Sequence, residues 1–321
     1  MNSAVCTLFE GSYHYGLAAL ANSLHRAGYR GRVYAGYRGE LPAWARAARP
    51  LPLPAWPQAR LLQLDAGPGI VFIPLATAYH LTNFKPEFML SLLDGPACDA
   101  DALFYLDPDI CVTGRWAFFE QWVDCGVALC EDMNSPLPEH HPRRIGWRRY
   151  YNARGLALQF RAAEYVNGGF VGLRRQDRAF LETWQRTMEL MAEEIGTLSS
   201  AKIQGGQAYR STGFADCFDC SDQDALNAAI EACTLPVSVI GQEAMAFKPG
   251  AALLPHAVGS GKPWQRSYLR SALLGVAPRA ADKAFWAHAA KPIAAYGALQ
   301  TALKRIDIAA GAAIGRLIRR A

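Results

Sequence analysis

Two hydrophobic periods run along this chain: short unbroken apolar runs, and longer segments in which apolar residues recur every three or four positions. The first predicts strands at residues 3–9, 32–37, 70–75 and 103–106; the second predicts helices at 16–28, 84–95, 113–123, 178–196 and 221–233. In the first helix Leu17, Leu20 and Leu24 share a stripe, and Gly28 supplies the stop. A further apolar run over residues 125–132 ends in Glu131 and Asp132. Strands alternating with helices predict an α/β protein with a mixed, mostly parallel sheet flanked by helices. Residues 41–58 read as a proline-laden loop carrying Trp44 and Trp56. Residues 133–163, polar and rich in Pro, His and Arg, read as a long binding loop.

At 321 residues, 51% of them apolar, the chain can bury one large α/β core or two smaller ones. No basic segment followed by an apolar stretch opens it, and no apolar run is long enough to span a bilayer, so a cytosolic protein is expected. Eight scattered cysteines do not form a secreted disulfide framework. Cys217 and Cys220 have zinc-type spacing but no second pair at a finger-like distance, and zinc wants four ligands.

Candidate chemistry begins where the buried run Leu103-Phe104-Tyr105-Leu106 gives way to Asp107-Pro108-Asp109. Pro108 keeps the chain extended while removing a backbone donor. Two carboxylates this close repel unless a cation lies between them, and hard oxygen ligands suit Mn²⁺ or Mg²⁺; a plain polar turn is the other reading. Asn167-Gly168-Gly169 either lets a ligand approach the backbone closely or is an ordinary hairpin bend. Ser221 with Asp222, Gln223 and Asp224 heads a helix, where carboxylates are favoured for capping alone. His256, Gly259 and Lys262 recur at spacings of three in a glycine-rich loop closed by Pro263 and Trp264. Such a loop offers backbone N–H groups and a point charge to phosphates, and the imidazole could complete a metal shell begun by the aspartates.

Together these four motifs, in this order over about residues 4–265, resemble glycosyltransferase family 8. The resemblance implies a GT-A (Rossmann-like) fold, a nucleotide-sugar donor that is usually UDP-linked, manganese, and sugar transfer with retention of configuration. By position it implies Asp107, Asp109 and His256 as metal ligands and Gly259 and Lys262 as the diphosphate cradle. It places Asp132 and Asn167 toward the donor sugar, Asp222 on its hydroxyls, Gln223 beneath the anomeric carbon, and Lys85 as a basic donor contact. It departs at Thr7-Leu8-Phe9-Glu10, where family members often carry an acidic or Asn-rich turn, leaving Thr7, or stacking by Phe9, Tyr13 or Tyr15, to meet the base. A noncatalytic sugar-nucleotide-binding scaffold and an inverting transferase with Asp222 or Asp224 as base are the alternatives.

Charge divides the chain into an expected catalytic domain, 1–265, and a tail, 266–321. From residue 262 on, eleven Lys and Arg face two Asp, a net +9 in a chain totalling +5, which leaves −4 for the rest. In the tail Tyr296, Leu299, Leu303, Ile306, Ile314 and Leu317 fall near helical spacing, with Lys304, Arg305, Arg316, Arg319 and Arg320 mostly off that stripe. This predicts a basic amphipathic helix, either lying in an anionic membrane interface or packed on the domain with a solvated basic face. No nucleic-acid-reading module accompanies the charge. Membrane docking would make the acceptor a lipid-linked saccharide, such as lipopolysaccharide core, and place the protein peripherally on the inner face of the cytoplasmic membrane.

Overall fold

The computed structural model describes residues 1–65, 67–200 and 217–318. In chain order the principal elements are β1 (Ser3–Glu10), α1 (His14–Ala27), β2 (Arg32–Arg38), β3 (Arg49–Pro50), β4 (Arg60–Gln63), β5 (Gly69–Pro74), α2 (Lys85–Asp94), β6 (Ala102–Leu106), α3 (Trp116–Trp122) and β7 (Val127–Glu131). They continue with α4 (Pro142–Asn152), β8 (Val166–Arg174), α5 (Ala179–Ile195), α6 (Ser221–Ala232), β9 (Val237–Ile240), α7 (Tyr268–Leu273), α8 (Ala280–His288) and α9 (Ala298–Ile318). The chain divides into two compact units, one of Met1–Leu8, Leu75–Leu106 and Phe118–Gln242, the other of Phe9–Pro74, Asp107–Ala117 and Glu243–Ala321.

In the first unit β1 pairs parallel with β6, β6 and β7 each pair antiparallel with β8, and β7 pairs parallel with β9. Every residue of β6 is buried, as its unbroken apolar run requires. Helices α2, α5 and α6 pack together, α5 burying Phe180, Leu181, Trp184, Met188 and Met191 at helical spacing. One of two open readings drops out, and one expectation needs correction. Asn167-Gly168-Gly169 makes no bend: β8 runs straight through it, buried from Val166 to Leu173. Within 133–163 lies a true helix, α4, started by Pro142 at its first position and burying Trp147, Tyr150 and Tyr151. Sequence reading missed it because its charged neighbours Arg143 and Arg144 are themselves buried.

In the second unit β2 pairs parallel with β5, and β4 joins β5 and β3 antiparallel. Helix α1 ends on Gly28, which adopts the left-handed conformation (φ 97°) that the sequence signal called for. Asn22 of α1 donates to the carbonyls of His288 (2.7 Å) and Ile293 (2.9 Å) and accepts from the Ile293 N–H (2.8 Å), tying the chain after α8 to α1. Tyr268, Phe285, Trp286 and Ile308 form a core cluster with Ala19 and Cys111.

The tail is therefore folded, and α9 packs on α7 and α8. Its docking face is made of small residues. A Cβ on Gly311 would lie 2.8 Å from the Tyr268 carbonyl oxygen, and one on Gly315 would lie 2.6 Å from the Ala277 Cβ. Thr301 and Ile308 complete that face. The large residues of the expected stripe point the other way: Leu299, Leu303, Ile306 and Leu317 are 73, 57, 65 and 69% exposed. Tyr296 precedes α9 and stacks on Tyr15 at 4.6 Å. Arg319 and Arg320 lie outside the described residues. Among the described residues no helix is long and apolar enough to cross a membrane.

Candidate active site

Asp107 and Asp109 follow β6 directly, and an antiparallel bridge between Ile110 and His256 sets the imidazole against them. The Cys111 N–H donates to the Pro255 carbonyl (3.2 Å) and the Ala257 N–H to the Asp109 carbonyl (3.1 Å), so backbone rather than side chain fixes the approach. His256 Nε2 lies 3.2 Å from Asp109 Oδ1 and 3.7 Å from Asp107 Oδ2. One ligand atom from each of the three residues falls within 4.8 Å of the others. Two hard carboxylates and one imidazole nitrogen fit a divalent cation such as Mn²⁺ or Mg²⁺. Asp109 and His256 are buried and Asp107 half-buried, which leaves one open side.

Gly16, in the first turn of α1, abuts the same turn: a Cβ there would lie 2.3 Å from the Pro108 carbonyl oxygen. Gly259 (φ 81°) and Gly261 (φ 73°) take the left-handed conformation that lets the loop fold back. Lys262 Nζ thereby reaches Asp109 Oδ2, and it also lies 5.5 Å from the centre of the Tyr13 ring. Tyr13 packs edge-on against Trp264 (5.5 Å). Burial alone would raise the Asp109 carboxyl, but His256 and Lys262, by charge and hydrogen bond, hold it well below the usual carboxylate range. Burial likewise opposes the charge on Lys262, and Asp109 more than offsets it, raising the ammonium above its ordinary value.

A second cluster belongs to the first unit. Lys85, 1% exposed, donates from Nζ to Asp222 Oδ2 (2.7 Å) and to the Gly168 carbonyl (2.8 Å), with the Tyr105 ring 5.1 Å away. Thr82 Oγ1 donates to the same Asp222 oxygen at 2.9 Å. A Cβ at Gly168 would sit 2.8 Å from that oxygen, so glycine is what lets α6 come this close to β8. The Gly168 N–H donates to Gln223 Oε1 at 3.1 Å. Asn167 Nδ2 donates to Asp132 Oδ2 at 2.6 Å, while Asp132 Oδ1 accepts from the backbone and side chain of Asn134. Asp132 with Asn167, and Lys85 with Asp222 and Gln223, five residues singled out from sequence, thus form two hydrogen-bonded groups that meet along the backbone of Asn167 and Gly168. Thr7, on β1, is fully buried and its hydroxyl has no hydrogen-bond partner among the described residues.

Sequence reasoning missed Thr82, Gly16, and the buried Arg143 and Tyr165 that meet Asp224. Trp147, Tyr150 and Tyr151 at helical spacing behind Pro142 were the available signal for α4. Burial is the largest cause raising the Cys217 and Cys220 thiols above their usual range, and among the described residues neither belongs to a group of metal-type ligands.

No family model and no curated protein sequence matches the chain. Its fold is found among solved structures. The galactosyltransferase LgtC in complex with donor and acceptor sugar analogs aligns with 93% of this chain and 99% of its own at TM-score 0.54 and 15% identity. An active-site mutant of LgtC aligns with 92% of this chain and 98% of its own at TM-score 0.50 and 15% identity. The chain has the GT-A fold, a mixed sheet flanked by helices.

Proposed function

We propose that this GT-A-fold chain is a metal-dependent glycosyltransferase that moves a sugar from a nucleotide donor, UDP-linked as in family 8, to a saccharide acceptor with retention of configuration. The observation that carries the reading is the Asp107–Asp109–His256 group with Lys262 beside it. A bound Mn²⁺ or Mg²⁺ would stabilise the negative charge that develops on the leaving diphosphate. Lys262 and the backbone around Gly259 would hold that diphosphate, and the lysine's charge is worth most when the sugar–phosphate bond is breaking. Lys85, Asp132, Asn167 and Asp222 would orient the sugar, with Gln223 facing its anomeric carbon.

The amide oxygen is the nucleophilic atom of Gln223, and the Gly168 N–H already engages it. Asp222 is committed to Lys85 and Thr82. Neither is placed as a ready covalent nucleophile or base. This favours front-face attack, with the leaving diphosphate taking the acceptor proton, over a covalent intermediate, and it disfavours the inverting alternative. The anomeric configuration of the product, read by NMR, separates retention from inversion.

A lipid-linked acceptor, such as a lipopolysaccharide core or another surface glycan, is the finer part of the proposal. It rests on the apolar row of α9, which with Leu269, Leu273, Leu274 and Val276 in and after α7 leaves eight large apolar residues exposed beside Lys304, Arg305 and Arg316. Such a surface suits peripheral contact with an anionic bilayer, on the inner face of the cytoplasmic membrane. Vesicles containing anionic lipid should pull down the full chain and lose it when Leu303 and Ile306 become Glu.

Calorimetric titration of nucleoside diphosphates and nucleotide sugars, with Mn²⁺ and with chelator, tests the donor reading on wild type and Asp109→Ala. Metal-dependent binding that disappears in the variant is expected. Absence of binding to any nucleotide would overturn the enzyme reading, and binding without turnover would leave the scaffold alternative.

A further inference from the structure

Helix α6 begins with Asp222, Gln223 and Asp224 in succession, and the third has surroundings unlike those of the other two. The Asp224 carboxylate is completely buried. Its Oδ2 accepts from the backbone N–H groups of Asp219 (2.6 Å) and Cys220 (3.0 Å). Its Oδ1 accepts from the Tyr165 hydroxyl (2.7 Å) and is ion-paired with the Arg143 guanidinium. Arg143 comes from the first turn of α4 and lies over the rings of Trp147 and Tyr165, at 5.7 and 5.3 Å from their centres. Its neighbour Arg144 pairs with Glu231, seven residues and about two turns further along the same face of α6. Helix α4 is therefore bolted to α6 at two levels.

Stability is a poor explanation for this arrangement. Buried ion pairs lose in desolvation much of what they gain in attraction, and replacing them with apolar residues is often neutral or favourable. Here Arg143 Nε, Arg144 Nε and Glu231 Oε2 are also buried without a hydrogen-bond partner among the described residues. What the cluster supplies is direction. Asn227 fixes α6 to β8, accepting from the Val166 N–H and donating to the Val166 carbonyl, both at 2.9 Å. Asp224 and Arg143 fix it to α4 and to its own preceding loop. Between these restraints the first turn of α6 has one rotation about its axis, the one that sets Gln223 against the Gly168 N–H and Asp222 against Lys85.

We propose that Asp224 and Arg143 are positioning residues that set the rotation of this turn, and through it the places of the Gln223 amide and the Asp222 carboxylate. The inference rests on the reading of those two groups as sugar-facing. Asp224 itself, with four donors on two oxygens, is a strut and not a reacting group.

The test uses the full chain carrying Asp224→Asn, Arg143→Met, and Arg143→Lys, the last keeping the charge for cases where the others do not fold. Hydrogen exchange at the amides of residues 221–224 reads the turn directly, without any ligand. Faster exchange there than in α5 is expected in Asp224→Asn and Arg143→Met, with partial recovery in Arg143→Lys. In turnover, kcat with UDP-sugars should fall about 100-fold, as a misplacement near 1 Å does, while affinity for UDP with Mn²⁺ stays within about twofold, because its ligands lie in the other unit. Unchanged exchange and kcat would overturn the proposal, as would an equal loss of UDP affinity. Failure of wild type to bind any nucleotide would instead remove the donor reading, and the exchange data would still decide whether the cluster holds the turn.

Discussion

Lys262 Nζ lies 2.6 Å from Asp109 Oδ2 and 2.8 Å from the carbonyl oxygen of Ala257. One ammonium thus neutralises the carboxylate the metal would need and ties down the loop that would meet the diphosphate. A metal at this group would compete with the lysine for Asp109, and a diphosphate would draw the lysine away, so metal and nucleotide should bind cooperatively. Lys262→Met should tighten Mn²⁺ binding in the absence of nucleotide by about tenfold, the worth of one charge-assisted hydrogen bond, and weaken UDP binding. The variant should also melt lower without metal, since the buried Asp109 carboxylate loses its ammonium partner and keeps only His256, and recover more on adding Mn²⁺. Equal Mn²⁺ affinity in the two proteins by calorimetry would rule out the competition.

The contact of Gly16 with Pro108 makes the metal turn sensitive to one methyl group. Gly16→Ala gains helix propensity, roughly 1 kcal/mol. It also forces a carbon to within 2.3 Å of a backbone oxygen. Backbone cannot yield as a flexible side chain would, so a net loss of about 1–3 kcal/mol is expected, together with weaker Mn²⁺ binding. A denaturant melt and a metal titration of the same sample measure both.

Acid should destabilise the protein before its carboxylates titrate. His14, His141 and His288 all have imidazoles held below their ordinary value, burial being the largest cause in each. His14 Nδ1 accepts from Trp44 Nε1 (3.3 Å) and His141 Nδ1 from the Arg143 N–H (3.3 Å), roles a protonated nitrogen cannot fill. With folded pKa values below unfolded ones, the stabilisation is complete above about pH 6.5 and is lost as pH falls through that value toward the folded ones. The melting temperature should therefore drop between about pH 7.5 and pH 5.5, and the double variant His14→Gln/His288→Gln should flatten that slope.

The small-residue face of α9 predicts an asymmetry between substitutions. Gly311→Leu, on the docked side, should lower the melting temperature and expose the segment after α8 to protease. Leu303→Glu, on the outer side, should leave both unchanged. If Leu303→Glu destabilises as much as Gly311→Leu, the docking face has been misassigned.

Much of the candidate site was legible because its chemistry is carried by residue types at fixed local spacing: Asp107 with Asp109, and His256 through Lys262. The strand and helix alternation was legible for the same local reason. What escaped depends on long-range geometry. Arg143 and Arg144 are charged, so their segment read as a polar binding loop, although Asp224 and Glu231 wait some eighty residues away to receive them. Asn167-Gly168-Gly169 read either as a place where a ligand meets backbone or as a bend, while Gly168 also answers the approach of α6. In α9 the periodicity of large apolar residues marked the outer face but not the docked one, because close packing between helices is a matter of shape, and Gly311 and Gly315 carry no hydrophobic signal.

That two-sided helix has a mechanical consequence. A tail joined by a slack linker is a leash: it holds an enzyme near a surface and lets it tumble. Helix α9, seated on α7 and α8 through Gly311, Gly315 and Ile308, is a bracket. Pressed to a bilayer along Leu299, Leu303 and Ile306, it would fix the tilt and the height of the unit that carries Asp107, Asp109 and His256. On the proposed membrane reading, such a bracket would select acceptors by their distance from the lipid surface before any sugar contact is made.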